Sequence, residues 1–97
     1  MNDYALEKMN EALNYLNNNQ YNEAITNLNN SLMLNASALN IAYFENTNFS
    51  DKKDTLYQLM FDNVKQDSTK VFSYFYLGLF NYLEQNYEDS KKYFIKY

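Results

Sequence analysis

Apolar residues recur along this chain at helical spacing, and polar breaks separate the runs. In residues 3–18, Leu6, Met9, Leu13 and Leu16 stand three or four apart, with Ala5, Ala12 and Tyr15 as an adjoining stripe. That period predicts an amphipathic helix. Residues 21–34 repeat the pattern with Ala24, Ile25, Leu28, Ser31 and Leu32, and residues 37–46 carry Leu39, Ile41, Ala42, Tyr43 and Phe44. Further helices are predicted over about 51–66 (Leu56, Leu59, Met60, Phe61, Val64), about 70–84, and 87 to the end (Tyr87, Ser90, Tyr93, Phe94, Tyr97). Val71–Leu83 is aromatic enough to imitate a strand, but it is too long and lacks period-two alternation. The expected fold is all-α, with six helices and short connections.

The ends of these helices have a chemical logic. Asp3, Ser50 or Asp51, and Ser68 or Thr69 are suitable N-caps. The chain has no Pro and one Gly, but 17 Asn. Asn is then the residue left to adopt left-handed backbone at helix ends. Asn17–Asn18–Asn19, Asn46 with Asn48, and Asn86 stand at the expected breaks. The one glycine, Gly78, falls inside a helix, where it costs about 1 kcal/mol relative to Ala. Its use there is steric. Gly78 and Ala24 mark places where two helices approach closely, and a larger side chain would hold them apart.

Composition narrows the chemistry. Ninety-seven residues make one domain's worth of chain. Without Cys or His there is no disulfide, no thiolate metal site and no imidazole base. Glu7 and Glu11 share a helix face, while Asp51, Asp54, Glu88 and Asp89 sit at helix starts, where the helix dipole explains them. Neither arrangement is a catalytic or metal constellation, so no enzyme activity, cofactor or metal is expected. The net charge is −4 and none of the eight basic residues is Arg. A nucleic-acid partner is therefore not expected. No apolar run reaches the roughly 20 residues of a membrane span, and MNDYALEKMNEAL lacks the form of a signal peptide. A cytoplasmic protein is expected. The sequons at Asn29, Asn35 and Asn48 are read as chance in so Asn-rich a chain.

One internal similarity organises the rest. Tyr21 and Tyr87 are 66 residues apart, close to twice the period of about 34 residues found in tetratricopeptide repeats. Residues 74–94, with Tyr74, Leu77, Gly78, Tyr87, Ser90 and Phe94, match that family's pattern well. Residues 12–31, with Ala12, Tyr15, Tyr21, Ala24, Leu28 and Ser31, match it in the second helix and partly in the first. The chain thus resembles the tetratricopeptide repeat (TPR) family as a divergent short array. Lys8 and Asn81 depart from its usual bulky residue and Tyr, and Ala36 stands where a proline is usual. In the middle, Phe49 could take the Tyr position, but Lys52 then occupies the small-residue position, and shifting to Thr55 breaks the period.

The resemblance implies a single domain over 1–97, a right-handed α-solenoid of six helices in three hairpins. Its repeats would span about 3–35, a degenerate 36–67, and 69–97. It implies a non-catalytic protein–protein interaction module whose concave face binds a peptide or helix. Carried over by position, that face would hold Met9, Asn10 and Leu13 in the first repeat, with Leu6 and Asn17 beside them. In the third repeat it would hold Phe72, Phe75, Tyr76, Leu79, Tyr82 and Leu83. The carboxylate-binding Lys and Asn of some relatives are replaced by Met9 and Leu13. The packing motif would be Ala12, Tyr15, Tyr21, Ala24, Leu28, Leu77, Gly78, Tyr87, Ser90 and Phe94. An alternative is a structural domain that self-associates. Ile95 and Tyr97 then have no following repeat to cover them and mark the helix of about 87–97 as a homodimer contact, unless the array is longer.

Overall fold

The computed structural model describes residues 3–35, 37–46, 50–67 and 70–97, and all of their regular structure is helical. In chain order the helices are α1 (Asp3–Asn17), α2 (Tyr21–Met33), α3 (Ser37–Asn46), α4 (Ser50–Gln66), α5 (Val71–Leu83) and α6 (Tyr87–Lys96). Every boundary lies within a residue of the one read from periodicity. Asp3 lies in the first turn of α1 rather than before it, where its carboxylate still meets the positive end of the helix dipole. The caps expected from Ser68 or Thr69, and the assignments at Ala36, Asn48 and Phe49, lie outside the described residues. So do the side chains of Asn46, Ser50 and Asp51.

The chain forms two compact units, Met1–Asn48 and Phe49–Tyr97. In the first, α2 is the middle helix, packed on α1 and α3. Helix α1 buries one stripe, Ala5, Met9, Ala12 and Leu16, at its three-and-four spacing. Each fully buried Met or Leu contributes about 2 kcal/mol by leaving water. Two polar ties add orientation. The Asn40 amide on α3 donates to Ser31 Oγ on α2 at 2.9 Å, and Ser31 donates to the Leu28 carbonyl at 2.6 Å. The Tyr43 hydroxyl on α3 donates to Asn10 Oδ1 on α1 at 3.1 Å.

In the second unit α5 is the middle helix, between α4 and α6. It is apolar on every side, and Ser73 through Asn81 are all buried. A helix of that composition is stable in water only when covered all round. The Asn81 amide on α5 donates to Tyr57 Oη on α4 at 3.0 Å and to the Leu77 carbonyl at 2.8 Å. The bond to Tyr57 ties α5 to α4 through the buried Asn81 side chain.

Three connections follow one backbone plan. Helices α1, α2 and α5 each end two residues before a left-handed residue: Asn19 at φ 58°, Asn35 at φ 62° and Gln85 at φ 64°. At the first and third, backbone bonds close a Schellman motif. Asn19 N–H donates to the Leu16 carbonyl at 3.0 Å and Gln20 N–H to the Tyr15 carbonyl at 2.8 Å. Sixty-six residues later, Gln85 N–H donates to Tyr82 at 3.0 Å and Asn86 N–H to Asn81 at 2.8 Å. Gln20 and Asn86, which open the next helices, make no side-chain cap bond. The Asn expectation holds at 19; Asn35, which was not among the expected positions, is left-handed as well. At the last break the left-handed residue is Gln85, and Asn86 has φ −87°.

Candidate functional site

The α5–α6 hairpin is held by one close crossing. A Cβ on Gly78 would lie 2.8 Å from two ring carbons of Phe94, so the aromatic ring occupies the space that glycine leaves. Beside it, Ser90 Oγ donates to the Gly78 carbonyl at 2.8 Å and is almost fully buried. A small residue on each helix thus brings the two backbones together, as expected from the sequence. Leu77 packs in the core, and Tyr74 stacks on Tyr93 at 6.4 Å between centroids. Tyr97 closes the far end, with its ring 5.4 Å from Phe75 and 6.4 Å from Phe72. Tyr97 is therefore anchored on α5 along one side, and about half of its surface stays exposed.

The outer side of this hairpin is apolar and open. Tyr82 and Tyr87 meet edge to face at 5.6 Å, and both remain at least half exposed. Ile95 is 74% exposed, and Phe94 keeps 37% of its surface in solvent while covering Gly78. A groove of about 520 Å³ runs among Tyr82, Tyr87, Ser90, Lys91, Phe94 and Ile95. Clustered exposed apolar side chains with a charged rim are characteristic of interaction surfaces. Packing on both flanks fixes this groove. The crossing at Gly78 sets the height of α6, and the Schellman turn at Gln85 sets the Tyr82–Tyr87 approach.

The expected concave face divides by burial. Met9, Phe75, Tyr76 and Leu79 are core side chains, each at most 5% exposed. A side chain so placed offers no surface to a partner. Tyr82 and Asn10 are exposed, and Phe72, Leu13 and Leu83 are half-buried. Asn10 is engaged by Tyr43. Among the packing residues, Ala12, Ala24, Leu28, Leu77, Gly78 and Ser90 are buried, and Tyr15 and Tyr21 are half-buried. Tyr87 is instead 58% exposed and belongs to the groove.

Sequence reasoning missed the buried amides. Asn40 and Asn81 bridge helices, and Asn27 bonds the Glu23 carbonyl one turn back. In a chain with 17 Asn, nothing local separates these from the Asn of turns. Asn81 occupies the position where Tyr was expected, and its bond to Tyr57 is what the departure supplies. The electrostatics outside the groove are modest. Glu11 accepts a hydrogen bond from Lys8 at 3.4 Å and raises the ammonium pKa. Lys53 pairs with Glu84 at 3.2 Å. Partial burial, then the neighbouring Tyr57 hydroxyl, pushes Tyr93 up to about 12. Among the described residues no three His, Cys, Asp or Glu gather to hold a metal ion, and no helix is long and apolar enough to cross a membrane. Compared with protein-family models, curated proteins and solved structures, the chain matches none of them.

Proposed function

We propose that the chain is a non-catalytic protein–protein interaction module built of TPR-like helical hairpins. The repeat reading is supported by the 66-residue offset, which relates helix ends, left-handed residues and turn hydrogen bonds in α1–α2 and α5–α6. Short period and local turn chemistry are how hairpin repeats are written into a sequence. In this reading the hairpins belong to a right-handed solenoid, and the chain works by presenting a preformed surface.

The observation that carries the function is the groove. Tyr82, Tyr87, Phe94 and Ile95 leave an apolar surface in water on a hairpin whose own packing is complete. Tyr82, expected on the partner-binding face, is exposed, which supports this reading. Aromatic anchors in such pockets usually dominate affinity. A peptide or helix of a partner protein would lay its apolar side along α6, between the aromatic pair and Ile95.

The test uses helical peptides selected from a displayed library against the whole chain. Binding should weaken about tenfold or more on Tyr82→Ala, with the circular-dichroism melt nearly unchanged because the side chain is half exposed. Selected peptides indifferent to Tyr82, or a variant that unfolds, would contradict the proposal.

A further inference from the structure

We infer that the groove along α6 is filled by the α6 helix of a second copy of this chain, running antiparallel across a twofold axis. The inference rests on the reading of this face as an interaction surface and names its occupant. The argument is charge complementarity along the helix. Glu88 and Asp89 stand in the first turn of α6, while Lys91, Lys92 and Lys96 follow. At 100° per residue, Glu88, Lys91 and Ile95 share a strip of the helix beside Tyr87 and Phe94. Among the described residues, neither Glu88 nor Lys91 is in an ion pair.

A strip that is acidic at one end and basic at the other complements itself when reversed. With the twofold between Glu88 and Lys91, each Glu88 meets the Lys91 of the other copy, and the pair occurs twice. The same register carries each exposed Ile95 past the start of the other α6, toward the exposed Tyr82–Tyr87 pair. A uniformly acidic partner would satisfy the lysines but set like charge against Glu88 and Asp89. Paired α6 helices satisfy both ends. Exposed ion pairs add little affinity, so burial of Ile95, Tyr82 and Tyr87 supplies the binding and the charges set the direction.

A charge swap tests this by sedimentation equilibrium on the full chain, with circular dichroism as the check on folding. Wild type should be a dimer at tens of micromolar. Glu88→Lys and Lys91→Glu should each weaken it about tenfold or more, because like charges then meet twice. The double variant should return to within about threefold of wild type. Simple damage to the helix would not be rescued in this way. Ile95→Asp should give a folded monomer. A wild type that stays monomeric at millimolar concentration would overturn the inference, as would a double variant that remains a monomer. Should wild type be monomeric while library peptides still bind at Tyr82, the interaction module stands and only its occupant changes.

Discussion

The α1–α2 and α5–α6 hairpins turn their corners with the same backbone and fill their crossings with different side chains. At the first, Ala12, Ala24 and Leu28 are fully buried. Sixty-six residues later the same positions hold Gly78, Ser90 and Phe94, with the ring lying over the glycine. Volume removed on one helix has been restored on the other. Two such solutions are equivalent only if the close approach of the helices is the constrained quantity and its filling is free within a fixed volume. The neighbouring helices differ too. Helix α1 hides a single stripe, whereas α5 is buried on every side from Ser73 to Asn81. The second hairpin is therefore the less forgiving of the two.

The sharpest break of this comparison is Gly78→Leu. Even a methyl carbon would stand 2.8 Å from the Phe94 ring, so a full side chain must push α6 away. We expect a loss of about 3 kcal/mol in urea unfolding. Tolerance without loss would mean that the two helices do not approach closely at Gly78. A second change separates the turns. Gln85 holds φ 64° with a side chain that has no preference for it, while Asn19 holds φ 58° with one that does. Gln85→Gly should stabilise by about 1 kcal/mol and Asn19→Gly by only a few tenths. Equal gains would mean the two turns do not differ in strain.

A smaller effect belongs to the second unit alone. Tyr93 has its pKa raised to about 12 by partial burial and by Tyr57, against an ordinary value near 10. The folded state holds this proton more tightly than the unfolded state. The associated stability is present in full below pH 10 and is lost as pH rises toward 12. Tyr93→Phe should therefore flatten the alkaline decline of the melting temperature over that window. An unchanged decline would remove Tyr93 as its source.

What could be read from the chain follows from how each feature is encoded. The first helix end was legible because loss of period coincides with Asn17–Asn19, of which Asn19 is suited to the left-handed backbone it adopts. Gly78 was legible because one glycine inside a helix has few other uses. The last left-handed position was not, since Gln85 carries no local signal and takes its conformation from the helices that meet there. The exposed apolar face was half legible, because an apolar stripe shows direction only when the opposite face is polar. VFSYFYLGLFNYL is apolar all round, so its sequence could not separate Phe75, Tyr76 and Leu79 in the core from Tyr82 in the groove. On α1 the stripe was visible, but Met9 lies at its buried centre, and Leu13 is left at its half-exposed edge.

The central claim is that the two hairpins are one structural unit used twice, and transplanting the crossing tests it most directly. Gly78→Ala, Ser90→Ala and Phe94→Leu together give the second hairpin the residues of the first. Taken singly, each should cost about 1 kcal/mol, through ring displacement, a lost hydrogen bond and lost volume respectively. The account predicts that the triple variant unfolds cooperatively in urea within about 1 kcal/mol of wild type, because Leu leaves room for the new methyl group. A loss of about 3 kcal/mol, the simple sum of the three, would contradict it.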